Sequence, residues 1–542
     1  MTVAPFALLC ITQLTAISRK VRTTIIPFDV DEANHATDGW EVYQALIGRS
    51  FYDLYRSVVD QSFYPPVHSI FVAISYALGG PTLAASRLPT LVNMALVLII
   101  MVWLTMLLAS EYTGRRISNW LLVTSAALTL AFAMTSEIFI TNAVLAMVEM
   151  SGALLGLLLV LFSKRVVQTP CGCIRWWPLT CAAVVAVLTF LTKYSFGLFF
   201  LPGLLAGLVT ATWPRRVTRS AWAAATVIAV VYLILLSGWW FATDHRRILL
   251  FFTDHPQYVP LASRANLFFL ARIWFDGYSA SWVFASLSIL LAVVGIVRRW
   301  AQLAVRVAAW SILAGLVVLT ISTTNESRHF LPLAPLVWLL AGLGLIEILH
   351  LLQRQTWGEA IRVIAVVTMV ALLTIEARRL IASLPARLTT SLEGVPAHTR
   401  LYIDALSRVN LNQPILLMGD LYDQNNLLAV RWQAATLTNQ STWALYIDYF
   451  PFEQYEHSLF RTNRKPQIAS TDLTFPRNHL NEVIERRYFA TIIEIKDIQS
   501  HFGPRANNPE DPLCGYQVQE LELDGWIVMI YDIQSGQQVD CG

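Results

Sequence analysis

Apolar residues in this chain come in long, nearly unbroken runs, and the polar residues collect in the gaps between them. Runs at 88–109, 117–135, 139–162, 176–192, 195–212, 220–242, 279–297, 302–322, 330–350 and 361–377 are long enough to approach or span a hydrocarbon core of ~30 Å. A further run, Val3 to Ile17, reaches only about 22 Å as a helix. A shorter stretch, Val67 to Leu78, follows a proline pair and suits an interfacial or re-entrant helix better than a full span. The pattern predicts a mostly α fold, a polytopic transmembrane helix bundle of about 11 spans over residues 1–380.

After residue 380 the pattern changes. Charged, Asn-rich and Gln-rich segments alternate with short β-type runs at 415–418, 443–447, 488–495 and 526–531, with helical stretches at 398–409 and 478–487. Residues 381–542 read as a small soluble α/β domain of ordinary domain size.

Composition supports the division. Hydrophobic residues make up 56% of the 542 positions and charged residues only 14%, with a mean hydropathy of +0.53. No single soluble core absorbs that much apolar sequence. The net charge of +3 is too small to imply a nucleic-acid partner. Where the basic residues fall is more informative. Arg115-Arg116, Lys164-Arg165, Arg215-Arg216 with Arg219, Arg298-Arg299, and Arg354 with Arg362 lie on alternate connections, which the positive-inside rule places in the cytoplasm. The connections 18–66, 136–138, around 193, 243–278 and 323–329 then face outward, as does the C-terminal domain after an odd number of spans. Arg19, Lys20 and Arg22 run against this in the long first loop, and five concordant loops outweigh them. Met1 to Ile17 has neither a basic start nor a small-residue cleavage site, so no cleavable leader is expected. Cys171-Gly-Cys173 falls in a cytoplasmic loop with too few neighbours for a metal site. Cys514 and Cys541 could pair if their domain is exported.

The candidate chemistry gathers on the outer connections. In Phe28-Asp-Val-Asp-Glu-Ala-Asn-His35 and just beyond it, Asp31, His35 and Asp38 recur at i, i+4 and i+7, so a helix puts them on one face, with Glu32 beside them. Close acids beside a histidine can hold a carboxylate as general base near neutral pH; acids also simply favour a first helical turn. Tyr64-Pro65-Pro66-Val67-His68 follows, rigid before its interfacial helix. Arg87 opens the next span, where it can pair with the acids or snorkel to the interface. Lys193, between two apolar runs, is either an interfacial lysine or a cation for a phosphate. Arg328 can meet a phosphate bidentately, with Glu326 and His329 next to it. Glu137 and Glu149 flank or interrupt one apolar run, and can be paired within the bundle. The loop 243–278 repeats an Asp-His pair at 244–245 and 254–255, among aromatic residues suited to sugar or lipid; His255 belongs to it. No Walker loop, GxGxxG, GxSxG or HExxH occurs in a fitting context, which argues against nucleotide-driven transport and the common hydrolase designs.

The order of these elements resembles the polyprenyl-phosphate-dependent membrane glycosyltransferases of the GT-C fold, which include the protein mannosyltransferases and the bacterial aminoarabinose transferases. Four signatures over about residues 25–350 carry the resemblance. Asp31-Glu32-Ala33 is similar to the family's acidic pair in the first outer loop. Tyr64-Pro-Pro-Val, continuing to Ser86-Arg-Leu-Pro89, is similar to its Pro-Pro helix and following Arg-Leu-Pro. Leu191-Thr-Lys193 resembles its Thr-Lys element, and Arg328-His-Phe-Leu-Pro-Leu-Ala-Pro335 its Arg-Tyr-Leu-Pro segment. There are departures. Tyr64 stands where many relatives carry Lys, and Glu149 is the nearest counterpart of an Asp common early in the fourth span.

The resemblance implies an inverting transfer of one sugar, hexose or pentose, from a polyprenyl-phosphate donor to an acceptor hydroxyl on a lipid, glycan or protein. It makes Asp31 and Glu32 the catalytic acids and puts Lys193 and Arg328 at the donor phosphate. His35, Tyr64, His68, Arg87, Glu137, His255 and His329 are the further candidates for substrate contact. The scheme calls for no cofactor and no metal. It places the enzyme in the plasma (inner) membrane, with site and C-terminal domain on the extracytoplasmic side. The alternatives are a transporter or lipid-linked-sugar flippase and a non-catalytic sensor. Transporters tend to show repeated halves and ionisable residues deep within spans, whereas here charges gather at one face and no repeat is visible.

Overall fold

The computed structural model describes residues 11, 14–19, 21–22, 30–61, 64–112, 119–168, 173–210, 215–243, 271–279, 281–321, 326–352, 397–410, 415–419, 443–446, 490–497, 513, 516–523 and 525–534. The apolar runs become helices. The first outer loop is itself helical: α1 (Val30–Ile47), α2 (Phe51–Val59) and α3 (Val67–Gly79) precede the long α4 (Leu83–Tyr112). Then come α5 (Asn119–Met134), α6 (Glu137–Ala143), α7 (Glu149–Ser163), a two-residue β1–β2 hairpin (Val167–Gln168, Cys173–Ile174), α8 (Trp176–Phe190), α9 (Tyr194–Val209), α10 (Arg215–Ala242), α11 (Trp282–Arg299), α12 (Leu303–Ile321) and α13 (Ala334–Leu352). Among the described residues, five helices are long and apolar enough to cross a membrane, six if the bent α5–α6 pair is one span; α3, α7, α8 and α9 are shorter apolar helices. The chain is an integral membrane protein. The expected spans at 3–17 and 361–377 do not lie within the described residues, the first apart from a few positions.

One expected span is not continuous. The run 139–162 is divided between α6 and α7 by a non-helical connection at 144–148. Helix α6 leans 71° away from α5, starting where the Ser136 hydroxyl accepts the Phe139 N–H as a cap. Hydropathy cannot register this break, because Val144, Ala146, Met147 and Val148 are as apolar and as buried as the helices around them.

Polar contacts sort the bundle into two ends. At one end Ala146 meets Glu32, Lys193 meets Glu149, Ser136 Oγ donates to the Gly277 carbonyl at 3.2 Å, and Tyr278 Oη donates to the Ser327 carbonyl at 2.7 Å. At the other, buried Arg299 pairs with Glu347 at 2.7 Å and donates to the Leu108 carbonyl at 2.8 Å, and buried Arg306 donates to the Gly207 carbonyl at 3.1 Å. These carbonyls lie near the C-terminal ends of α4 and α9, where a cation complements the helix dipole. Between the ends, helices approach closely where small residues allow it. A Cβ added at Gly344 of α13 would run into the Leu291 carbonyl oxygen of α11, and one at Gly295 into the Leu340 carbonyl oxygen. Because backbone is met rather than a movable side chain, Gly344→Val is expected to cost about 3 kcal/mol, the upper part of the overpacking range. The thermal midpoint in detergent checks this, and an unchanged midpoint would mean that α11 and α13 do not pack as described.

The C-terminal part contains α14 (Ala397–Arg408) and a five-stranded mixed sheet built from β3 (Ile415–Gly419), β4 (Trp443–Tyr446), β5 (Thr491–Asp497), β6 (Gln517–Leu523) and β7 (Trp526–Asp532), in the order β4-β3-β5-β7-β6. Strands β4, β3 and β5 run parallel, and β7 is antiparallel to both β5 and β6. Leu401, Tyr402, Ala405 and Leu406 of α14 form one core with Ile493, Leu521, Val528 and Ile530 of the sheet. Strand β6 lies outside the β-type runs anticipated above. Its signal was the short alternation of Leu521 and Leu523 with Glu520 and Glu522, ahead of a turn at Gly525, whose φ of 85° suits glycine. The helical stretch expected at 478–487, Cys514 and Cys541 fall outside the described residues.

Candidate active site

The acidic motif lies in the first turn of α1. Asp31 is its second residue; its side chain is outside the described residues. Glu32 is buried, and Arg87 of α4 grips it with both ends of its guanidinium: Nε donates to Oε1 at 3.0 Å and Nη2 to Oε2 at 3.2 Å. The Ala146 N–H, in the connection between α6 and α7, donates to the same Oε1 at 2.7 Å. Of the two readings open for Arg87, pairing with the acids is the one realised. A buried charge pair has to satisfy its remaining hydrogen-bonding groups to offset desolvation, and the backbone amide contributes to that.

The signatures meet on that apolar connection and on the residues next to it. Thr90, one residue past the Arg-Leu-Pro element, donates to the Met147 carbonyl at 3.4 Å. Arg328 Nη1 donates to Met147 Sδ at 3.3 Å, while its Nε donates to the Glu326 carboxylate. Lys193 Nζ donates to Glu149 Oε1 at 3.3 Å, and Glu149 Oε2 is buried with no hydrogen-bond partner among the described residues. The Val67 N–H, following the proline pair, donates to the Leu191 carbonyl at 3.1 Å, which ties the Pro-Pro helix to the Thr-Lys element. A Cβ at Gly152 would strike the Phe196 ring and press on Pro332, so α7, α9 and the Arg-His-Phe-Leu-Pro segment are in direct contact there.

The remaining candidates divide. His35 stands edge-on to Tyr64 at 5.1 Å and to His68 at 5.2 Å between ring centroids, so these three form one cluster. His68 is buried, and its Nδ1 lies 3.1 Å from Ser151 Oγ. Asn93 Nδ2 donates to that same hydroxyl oxygen at 2.9 Å, so Ser151 links the imidazole to α4. Desolvation is the larger influence on His68 and lowers its pKa to about 4, although the Ala146 carbonyl works in the opposite direction. The ring is therefore neutral at neutral pH. His329 Nε2 lies 3.8 Å from Glu326 Oε2, beside Arg328. Glu137 is the first residue of α6, where an acid suits the helix dipole. His255 falls outside the described residues.

Two features escape sequence reasoning. The connection 144–148 carries no polar side chain and works through its backbone and Met147. Glu149 has the one signal available, a charge at the head of an apolar helix; its burial and its pairing with Lys193 require the tertiary fold.

No protein-family model and no curated protein matches the sequence. Among solved structures, ArnT from Cupriavidus metallidurans bound to undecaprenyl phosphate is similar over 98% of this chain and 98% of its own, with a TM-score of 0.60 and 14% identity. Its apo state gives the same TM-score and identity over 97% of each chain. The apo oligosaccharyltransferase of Archaeoglobus fulgidus is similar over 91% of this chain and 70% of its own, with a TM-score of 0.50 and 12% identity. This chain has the GT-C fold, a polytopic membrane helix bundle with a small C-terminal domain.

Proposed function

We propose that the protein is a membrane glycosyltransferase that moves a sugar from a polyprenyl-phosphate donor to an acceptor hydroxyl on a lipid, glycan or protein. The observation that carries this reading is the convergence of Glu32, Thr90 beside the Arg-Leu-Pro element, and Arg328 on the connection 144–148, with Lys193 on Glu149 directly after it and the Pro-Pro helix tied to the Thr-Lys element. Undecaprenyl phosphate, bound in the structurally similar ArnT, is the kind of lipid phosphate that such a donor would release. Residues 1–380 act as the catalytic membrane module and 381–542 as a separate domain. The loop charges favour an extracytoplasmic site in the plasma (inner) membrane.

The acceptor oxygen attacks the anomeric carbon from the face opposite the phosphate, so the product is inverted. As the new C–O bond forms, the bond from the anomeric carbon to the phosphate oxygen breaks, and polyprenyl phosphate leaves with the electron pair. The acceptor proton passes to the Asp31 carboxylate, a general-base role that needs no cofactor. Glu32, held between Arg87 and Ala146, positions the turn that carries Asp31. Lys193 and Arg328 stabilise negative charge growing on the leaving phosphate, the step at which preorganised cations count most. Glu149 keeps the Lys193 ammonium in place until the donor phosphate competes for it. His35, Tyr64 and His68 line the acceptor side as one cluster.

Membranes containing the protein, given a radiolabelled polyprenyl-phosphate sugar, should release label from the lipid into an acceptor. Lys193→Ala should slow transfer about 10²–10³-fold and also lower the thermal midpoint, because it leaves buried Glu149 unpaired; Lys193→Ala with Glu149→Gln should recover the midpoint without recovering transfer, and Lys193→Arg should restore part of both. If no such donor supports transfer, the reading fails; transfer that survives Lys193→Ala removes that lysine from the phosphate site.

A further inference from the structure

Helix α7 begins without the usual device for fixing a helix start. Its N-cap is Val148, whose side chain has no oxygen to accept the first amides. The residues ahead of the helix, 144–148, are non-helical and apolar. Yet Glu149, the first residue of α7, meets Lys193 Nζ at 3.3 Å. The orientation of that first turn has to be set from outside the helix.

It is held from two sides. Glu149 and Gly152, at i and i+3, face α9: Glu149 takes Lys193, and Gly152 lies against the Phe196 ring. On the other side buried Ser151 is a meeting point, with His68 Nδ1 3.1 Å from its hydroxyl and Asn93 Nδ2 donating to it at 2.9 Å. Asn93 ends a row on α4, Arg87, Thr90 and Asn93, that reaches in turn Glu32, the Met147 carbonyl and Ser151. His68 comes from α3, and Val67 just before it donates its N–H to the Leu191 carbonyl at 3.1 Å, two residues ahead of Lys193. Adjacent residues of the Pro-Pro helix therefore hold both halves of the ion pair. Val67 holds the turn that leads to Lys193, and His68 holds the helix that begins with Glu149. Pro65 and Pro66 restrict the backbone directly ahead of them, so the two grips keep a fixed relation. A buried imidazole and a buried hydroxyl are costly without partners, and here each supplies one to the other.

We propose that His68 and Ser151 are positioning residues for the Glu149–Lys193 pair, fixing the rotation of the first turn of α7 and so the place at which Glu149 presents the Lys193 ammonium. The inference rests on the reading of Lys193 as the cation at the donor phosphate. It adds that this cation is aimed before the donor arrives, and that residues remote from the phosphate do the aiming.

The test uses the full-length protein in lipid nanodiscs, with undecaprenyl phosphate as the probe. Ser151→Ala and His68→Leu are each expected to weaken its binding about tenfold. Both should also speed amide exchange over residues 144–152 while α12 exchanges as in the wild type. His68→Asn, whose amide can meet Ser151 as the imidazole does, should recover binding and exchange alike. In a protein already carrying Lys193→Ala and Glu149→Gln, His68→Leu should weaken binding no further, because the cation it acts through is gone. An equal loss in that background would overturn the proposal, as would unaltered binding or unaltered exchange in Ser151→Ala, or faster exchange throughout α12. Equal binding by the wild type and by the Lys193→Ala, Glu149→Gln protein would instead sink the phosphate reading of Lys193. The exchange measurement would still decide whether His68 and Ser151 set the pair.

Discussion

Glu32→Gln is expected to lower the stability of the folded protein by about 3–5 kcal/mol, the usual cost of stranding one partner of a buried ion pair. Glu32 and Arg87 are both buried, and the guanidinium is held at 3.0 and 3.2 Å by the two carboxylate oxygens. A glutamine preserves the shape and one acceptor. It turns an NH2 toward the second guanidinium donor, and it leaves the arginine charge uncompensated in a site closed to water. The Ala146 N–H, now 2.7 Å from a carboxylate oxygen, loses a charge-assisted bond as well. Glu32→Gln with Arg87→Met should recover much of the loss, because removing both charges removes the desolvation penalty. Denaturation midpoints of the two single variants and the double variant decide the matter. Additive effects would show that the two residues are not coupled, and a wild-type midpoint for Glu32→Gln would show that the pair does not hold the loop.

Asp31→Asn should leave that midpoint where it is and slow sugar transfer about 10²–10⁴-fold, the range a positioned general base contributes. Asparagine matches aspartate in size and still serves in a first helical turn, so a purely structural role would be largely preserved. The two neighbouring acids are thus expected to fail in different assays, Glu32 in folding and Asp31 in turnover. The split follows from α1 itself: Glu32 is committed to Arg87 and Ala146, and it fixes the turn on which Asp31 stands. Normal transfer by Asp31→Asn would exclude Asp31 as the base.

Much of the architecture was legible because lipid imposes a simple requirement. A span must be apolar over its length, so the runs from 88 to 350 announce most of the helices. The alternation of basic loops announces two ends, and in the structure Arg299 and Arg306 make their contacts at one end and Lys193 at the other. Strands β3, β4, β5 and β7 likewise show as short β-branched and aromatic runs. The division of 139–162 into α6 and α7 was not legible. Both helices and the residues between them bury the same kind of apolar side chain, and only backbone geometry separates them.

For the site, residue types and their order along the chain single out Asp31, Glu32, Lys193 and Arg328 as candidates, because charge beside lipid is costly and hence rare. Sequence left undecided what each charge faces. Arg87 was equally an interfacial residue or a partner for the acids, and the fold gives it Glu32. Lys193 was a snorkelling cation or a phosphate ligand, and the fold gives it Glu149, forty-four residues earlier in the chain. What His68 meets was likewise hidden, since Ser151 lies eighty-three residues further along the chain. By itself, then, the sequence determined a membrane bundle with charges gathered at one end, because hydropathy is a property of each residue and its near neighbours. Only the tertiary structure decided which charges meet, because pairing depends on distances between helices remote in sequence and set by the packing of the whole bundle.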